Sequence, residues 1–289
     1  MRICFYNPVS LTYFGGRESW IIKVAGALSA TMKVAVLAHS YADTRRLSYS
    51  ELKALLGRVE YREIPSVKLP RGFPVPHPRH LGDLVDFFNT CDVVYVTMLN
   101  SPNESLLASL SGRIRAELIA GFHDTPTHCN LLSRLYRPVL LRSLKIFSCF
   151  HVVNKHQYAW LRALGIETNK IFYVPNGVDV DKFQCRDATR NLDHFNVLFV
   201  GRLTKDKGVK DLVKVIRYVN DVLKLNRCLF TIVGSGPLEG EIRKLMERYD
   251  NVRYTGFVAL SLISRVYFEA DLFLLPSRSE GMPLRLLEA

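Results

Sequence analysis

The sequence predicts an α/β protein made of two tandem domains, each built around a largely parallel sheet. Three observations predict it. Short β-branched or aromatic runs alternate with helix-length amphipathic stretches, the rhythm of βα units. That rhythm is interrupted at Tyr173-Val-Pro-Asn-Gly-Val-Asp-Val-Asp-Lys-Phe183 and then restarts. At 289 residues the chain is long enough to bury two cores of ordinary size.

In the first half, strands are expected at Arg2–Tyr6, Lys33–Ala38, Val93–Thr97, Ala116–Gly121 and Ser148–Val153. The proline-rich segment Leu69–Pro78 between the second and third lacks backbone donors at four positions, so it reads as an exposed loop. Asn176-Gly177 is a turn signal, and the polar run Gln184–His194 behind it resembles a linker. This places a first domain over 1–175, a linker over 176–195 and a second domain over 196–289. In the second domain, strands are expected at Val197–Val200, Leu229–Val233, Val252–Thr255 and Leu272–Leu275. Helices are expected at Gly208–Leu225, Leu238–Arg248, Leu260–Glu269 and from Pro283 onward.

Composition narrows the class. An apolar share of 48% with 23% charged residues fits a folded globular chain and argues against disorder. No apolar run approaches the roughly 20 residues of a membrane-spanning helix. Met1–Tyr6 reads straight into a strand without the apolar stretch of a signal peptide. The six cysteines are scattered with no Cys-x-x-Cys pair, which fits a reducing cytoplasm better than a disulfide framework or a structural zinc site. The net charge of +12 is uneven, because residues 1–175 hold 21 Lys/Arg against 12 Asp/Glu. A basic surplus of that kind fits a membrane surface or a phosphorylated substrate. Nucleic acid is not expected, because the aromatics are not interleaved with the basic residues in a recognition module.

The residues able to carry chemistry gather at the ends of the expected strands. Val200-Gly-Arg-Leu-Thr-Lys-Asp-Lys-Gly208 runs from a strand into a loop that opens a helix, so Arg202 and Lys207 stand at a strand's carboxyl end, where open α/β sheets bind ligands. A guanidinium fork and an ammonium there suit a diphosphate. Gly234 and Gly236, in Ile232-Val-Gly-Ser-Gly-Pro237, permit close backbone approach before a helix N-terminus. The third glycine of a dinucleotide fingerprint is replaced by Glu239, which argues against an NAD enzyme. Glu280 precedes a helix carrying Pro283 in its first turn, and Glu288 lies on that helix. The two carboxylates would stand about 12 Å apart at ~1.5 Å per residue, one suited to sugar hydroxyls and one to a ribose. The amides of Gly281, Met282 and Leu284 would face a phosphate between them.

Taken in order, Asn176-Gly-Val-Asp179, Val200-Gly-Arg-Leu with Lys207-Gly208, Val233-Gly-Ser-Gly-Pro237, Tyr254-Thr-Gly-Phe-Val258 and Ala270–Ala289 resemble the retaining glycosyltransferases of family 4. The resemblance implies a GT-B architecture, with two Rossmann-like domains facing a cleft. It also implies a nucleoside-diphosphate sugar as co-substrate and a hydroxyl acceptor, as in cell-surface glycan or glycolipid synthesis. Arg202 and Lys207 would hold the diphosphate, while Glu280 and Glu288 would form the family's Glu-x7-Glu motif. In the first half, Gly15 and Gly16 resemble the loop that covers the donor phosphates. His123 in Gly121-Phe-His-Asp124 resembles the histidine that hydrogen-bonds the reacting sugar.

The resemblance implies that no metal is needed, since cations are available for the diphosphate. Asp179-Val-Asp181, which mimics a metal–nucleotide motif of another fold, is read as structural. His123, Asp124, His128 and Cys129 are not aligned as ligands, because Pro126 interrupts any helix joining them. The basic stretch Leu131–Phe147 places Arg134, Arg137, Arg142 and Lys145 within an arc of roughly 140°, opposite Leu135, Val139, Leu140, Leu144 and Phe147. It reads either as an ordinary surface helix or as a helix lying on anionic lipid near a lipid-linked acceptor, and Pro138 could split it. Family members usually continue past the position of Ala289, so the second domain is expected to be incomplete and closure of the donor grip to be in question. A non-catalytic sugar-nucleotide-binding protein and an epimerase on the same fold are the rival readings.

Overall fold

A computed structural model describes the chain apart from residues 43–44, 70–73, 99–101, 125–130, 184–193, 226 and 260–261, and gives 131–137 as backbone alone. Half of the expected linker, the start of the helix expected from Leu260, and His128 and Cys129 lie outside the described residues. So do the side chains of Arg134, Leu135 and Arg137. The chain divides into two compact units, Met1–Asn176 and Gly177–Ala289.

The first unit runs β1 (Arg2–Asn7), α1 (Gly16–Leu28), β2 (Lys33–His39), α2 (Tyr49–Leu56), β3 (Glu60–Ile64), β4 (Ser66–Lys68), β5 (Pro74–Pro76), α3 (Leu81–Phe88) and β6 (Val93–Met98). It continues with α4 (Pro102–Leu110), β7 (Glu117–Phe122), α5 (Leu131–Leu144), β8 (Cys149–Val152), α6 (Lys155–Ala163) and β9 (Ile171–Tyr173). Seven of these strands form one parallel sheet in the order β3-β2-β1-β6-β7-β8-β9. The inner strands are apolar on both faces because helices cover both sides, and Cys4–Asn7 and Val34–His39 are wholly buried.

The second unit runs β10 (Phe195–Val200), α7 (Val209–Arg217), β11 (Cys228–Val233), α8 (Glu239–Arg248), β12 (Val252–Gly256), α9 (Ile263–Phe268), β13 (Leu272–Phe273) and α10 (Leu284–Glu288). Its parallel sheet has the order β12-β11-β10-β13. In α7 the buried residues Val209, Leu212, Val213 and Ile216 follow the helical period and seat the helix on Phe199 and Phe230. Phe183, inside the segment read as linker, stacks edge-on against Tyr267 and so belongs to this unit's packing.

Several elements depart from expectation. Part of Leu69–Pro78 is not an exposed loop: β5 pairs antiparallel with β4, and Pro74 and Pro76 are buried. Val75 keeps its N–H between the two prolines, and Asn103 Nδ2 donates to the Pro74 carbonyl at 2.7 Å. β13 stops at Phe273 instead of Leu275; Leu274 N still donates to Leu198 O at 2.8 Å, but Pro276 beyond it has no N–H with which to continue the ladder. The long helix expected from Gly208 ends at Arg217 and continues as a single π-turn over Tyr218–Val222. Pro283 is not in the first turn of α10 but caps it in an extended conformation, so the helical spacing assumed between Glu280 and Glu288 does not hold. Pro138 does not split α5, whose backbone is helical throughout. Val139, placed on the apolar side, is 45% exposed, while Leu140, Ser143 and Leu144 are buried.

Both sheets share one topological feature. The first strand of each unit ends up inside its sheet, with later strands added first on one side and then on the other. The order reverses between β1 and β6 in the first unit and between β10 and β13 in the second. Helices from the two directions leave a crevice outside the carboxyl ends of those strand pairs.

Gly208 closes the loop after β10 at a φ of 70°, and a Cβ there would lie 1.9 Å from the Pro276 carbonyl oxygen. Gly208→Ala is therefore expected to lower the urea unfolding free energy by about 2 kcal/mol or more, from left-handed backbone strain and the clash together. Gly240→Ala, in open space on α8, should instead stabilise by about 0.5–1 kcal/mol. Equal effects at the two positions would refute this account.

Candidate active site

In the second unit the loops leaving β10 and β13 bring Lys207 and Glu280 together. Lys207 Nζ lies 2.7 Å from Glu280 Oε1, and the two side chains are only 18% and 22% exposed. The pair stands at the carboxyl ends of the two strands between which the sheet reverses. Arg202, on the same loop as Lys207, is within 3.5 Å of Asp206 and more open to solvent. A guanidinium and an ammonium thus share one sheet end, each beside a carboxylate that an arriving polyanion could outcompete.

Main-chain hydrogen bonds fix the frame holding these groups. Leu203 N donates to Ser235 O at 3.0 Å, Leu238 N to Leu203 O at 3.0 Å, and Arg278 N to Asp206 O at 2.9 Å. Gly234 and Gly236 make this stitching possible. A Cβ at Gly234 would lie 1.8 Å from Gly201 O, and one at Gly236 would lie 2.7 Å from Leu203 O. Both glycines thus admit the neighbouring loop, a requirement that stands apart from any phosphate. Gly281, Met282, Pro283 and Leu284 form the half-buried run between Glu280 and α10. Glu288 faces inward: Oε2 sits 2.6 Å from Arg285 Nη1 and accepts from the Tyr267 hydroxyl at 3.2 Å.

In the first unit the loop after β1 carries Gly15 and Gly16. Gly15 caps α1, and its amide donates to Glu18 Oε2 at 3.0 Å. A Cβ on Gly15 would fall 2.7 Å from that oxygen, whereas Gly16 has open space. Glu18 is buried and also holds Arg17 at 3.2 Å and Asn7 Nδ2 at 3.1 Å. Asn7 in turn accepts from Thr97 Oγ1 at 2.7 Å, tying β1 to β6 where this sheet reverses.

His123, just past β7, is buried in a ring cluster. Trp20 lies 4.3 Å from it between ring centroids, and Tyr95 Oη lies 2.9 Å from its Nε2. Tyr95 Oη is also 2.5 Å from His151 Nδ1, and His151 Nε2 donates to the Val174 carbonyl at 2.8 Å. Burial, with smaller contributions from His151 and Arg17, holds the His123 imidazole well below its usual range. Burial likewise lowers His151 and raises the Tyr95 phenol. The cluster is therefore neutral near pH 7. Sequence reading missed Tyr95 and His151, which lie on the same sheet face as Gly121. Their relation is set by the register that aligns Tyr95 with Ile119 and His151 with Gly121, which the sequence around either residue does not state.

Asp179 accepts from the Lys182 amide at 3.3 Å, a local turn. Among the described residues no group of three His, Cys, Asp or Glu side chains is placed to hold a metal ion. Also among the described residues, no helix is long and apolar enough to cross a membrane.

Residues 14–182 match the family described as Glycosyltransferase Family 4, and residues 194–289 match that described as Glycosyl transferases group 1. The chain belongs to glycosyltransferase family 4. This family-4 chain is 27% identical over 187 residues to a putative colanic acid biosynthesis glycosyltransferase of Escherichia coli K12, a match covering 62% of this chain and 46% of that protein. It is 28% identical to the E. coli UDP-Gal:α-D-GlcNAc-diphosphoundecaprenol α-1,3-galactosyltransferase, over 49% of this chain and 39% of the relative. The chain thus spans less than half the length of either relative. Among solved structures, Anabaena HepE in complex with UDP superposes with a TM-score of 0.73 at 17% identity, over all of this chain and 78% of that one. WaaG, a lipopolysaccharide biosynthesis glycosyltransferase, gives 0.68 at 17%, over all of this chain and 78% of WaaG. These similarities show the fold of two Rossmann-like units expected from the sequence.

Burial gives the family-4 chain a testable pH dependence. His39, His123 and His151 all have imidazoles held below the ordinary value, His39 at about 3 through burial. The unfolded chain takes up protons as pH falls through ~6.5, while these folded sites do not, so stability falls on acidification. Between pH 7.5 and 5.0, His39 alone should contribute about 2 kcal/mol of loss. Urea titrations of the native chain and of His39→Gln should therefore converge as pH drops; parallel curves would contradict the assignment.

Proposed function

We propose that this chain transfers a sugar from a nucleoside-diphosphate donor to a hydroxyl acceptor with retained anomeric configuration, in the synthesis of a cell-surface glycan or glycolipid. The observation that carries the reading is the Lys207–Glu280 pair at the strand-order reversal of the second unit, with Arg202 on the same loop. An ammonium and a guanidinium suit a leaving diphosphate, on which negative charge grows in the transition state. The Glu280 carboxylate, released from Lys207 as phosphate takes its place, suits the hydroxyls of the donor sugar. Glu288, seated against Tyr267 and Arg285, is assigned to the donor ribose. The run Gly281–Leu284 and the turns at Gly15-Gly16 and Gly234–Gly236 are assigned to the donor as its main-chain surroundings.

Among the described residues, no pair of carboxylates at the first unit's strand ends is placed to support a covalent double displacement. The reading therefore has the acceptor attack the face that the diphosphate leaves, with the departing phosphate taking the acceptor's proton. His123 is neutral and serves as a hydrogen-bond partner for a sugar hydroxyl. The cations carry the leaving-group charge, so the reading requires no metal. A lipid-linked acceptor is favoured because the E. coli relative's name specifies a diphosphoundecaprenol substrate. In that setting the exposed Val139 and Arg142 of α5, with Lys145 just past its end, would rest at an anionic membrane surface.

A thermal-shift screen against UDP-, GDP- and ADP-sugars is expected to raise the melting temperature with one nucleotide class, since a bound donor stabilises by mass action. Silence with all three would sink the assignment. With the responding donor, Lys207→Ala and Arg202→Ala should each slow diphosphate release roughly 100- to 1,000-fold, the range for loss of a transition-state charge partner. Unchanged release in either variant would remove that residue from the site.

A further inference from the structure

The ring cluster around His123 contains more structure than a contact to sugar requires. We propose that Tyr95 and His151 are positioning residues that fix His123 as its Nε2–H tautomer, so that Nδ1 is the acceptor it offers to a ligand hydroxyl. This rests on the reading that His123 meets the reacting sugar.

The assignment follows from the hydrogen bonds one at a time. The Val174 carbonyl can only accept, so His151 Nε2, 2.8 Å away, carries a proton. In a neutral imidazole the other nitrogen is then a bare acceptor. Tyr95 Oη lies 2.5 Å from that nitrogen, so the phenol donates its single proton there. The phenol oxygen has only lone pairs left for His123 Nε2 at 2.9 Å, so that nitrogen must donate. His123 Nδ1 is thereby the unprotonated nitrogen. Each link leaves one choice for the next, and the chain ends at a backbone carbonyl that cannot reverse its role.

Neutrality is secured by surroundings that disfavour charge. Trp20 of α1 covers both imidazoles, at 4.3 Å from His123 and 5.8 Å from His151 between centroids. Phe5 of β1 lies behind Tyr95 at 5.4 Å. Arg17 of α1, paired with Glu18 and Asp124, faces the cluster, and its cation opposes a second proton on His123. Gly121 completes the arrangement. A Cβ there would lie 1.9 Å from the Tyr95 hydroxyl oxygen, so only glycine leaves room for the phenol between the two histidines.

A nitrogen locked as acceptor discriminates between ligands. It takes a hydroxyl proton and offers nothing to a phosphate oxygen, which has no proton to give. The relay thus biases this position toward sugar and away from the donor's anionic part.

The test reads ring nitrogens directly. In uniformly 15N-labelled protein at pH 7.5 without ligand, two-bond 1H–15N correlation spectra should show Nε2 protonated and Nδ1 unprotonated at both His123 and His151. The His123 ring N–H should exchange slowly with water. Tyr95→Phe should abolish that slow exchange, as should His151→Leu. His151→Gln should preserve it, because the amide can accept from Tyr95 and donate to Val174. A protonated Nδ1 at His123 in the native protein would overturn the proposal, as would undiminished protection in both Tyr95→Phe and His151→Leu. Because these signals need no substrate, they decide the relay separately from the role of His123. That role would fail if His123→Ala left sugar transfer unchanged.

Discussion

The constraint on which the rest depends is the reversal of strand order in each parallel sheet. A parallel pair needs a crossover, and crossovers with one hand place successive helices on the same face while the sheet grows in one direction. When growth restarts on the other side of the first strand, the next helices cover the opposite face, and the loops at the reversal diverge. In the second unit those loops hold Lys207 and Glu280. In the first, the reversal is bridged by Asn7 and Thr97, whose hydrogen bond ties β1 to β6 beneath the Gly15-Gly16 turn. Chemistry collects at these points because elsewhere along the sheet ends the next helix closes over the strand.

The two units use that opening with opposite electrostatics. Around Lys207 the charges are paired and partly covered. Coulomb attraction at an effective dielectric near 20 is on the order of 4 kcal/mol at 4 Å, and much of it is offset by desolvation. Such a pair orders its side chains without locking them, so a diphosphate, with more charge than one carboxylate, can displace Glu280 from Lys207. Around His123 the rings are neutral, with the nearby Arg17 cation held by Glu18 and Asp124, and hydrogen-bond direction carries the information.

Much of this could be read from the sequence, and the limits have physical causes. The inner strands were legible because burial on both faces leaves nearly continuous apolar runs, as in Val93–Met98 and Val197–Val200. The edge strands of the first sheet were not, although those of the second, β12 and β13, were. β3 reads Glu-Tyr-Arg-Glu-Ile, with charges facing solvent, and β9 is three residues long. β5 was hidden by its own prolines, since a three-residue strand whose one N–H is that of Val75 carries almost no strand signature. Arg202, Lys207 and Glu280 could be singled out because each sits in a loop directly after an apolar run. Tyr95 and His151 could not, because their relation runs across strands 56 residues apart in sequence and depends on register.

The glycines show most clearly how a correct choice of residues can carry an incomplete reason. Gly234 and Gly236 attract attention because glycine lets a backbone approach a phosphate, yet the close approach in the fold is to Gly201 and Leu203. The same property, a missing Cβ, first lets one loop of the chain seat against another. That contact fixes Leu203 and Leu238 by main-chain hydrogen bonds and places the start of the Arg202–Lys207 loop before any anion arrives. Electrostatic stabilisation of a departing group is strongest when its partners need not reorganise. Under the proposed function the glycines would act on the chemistry through rigidity, by holding the Arg202–Lys207 loop in a frame already assembled by the sheet.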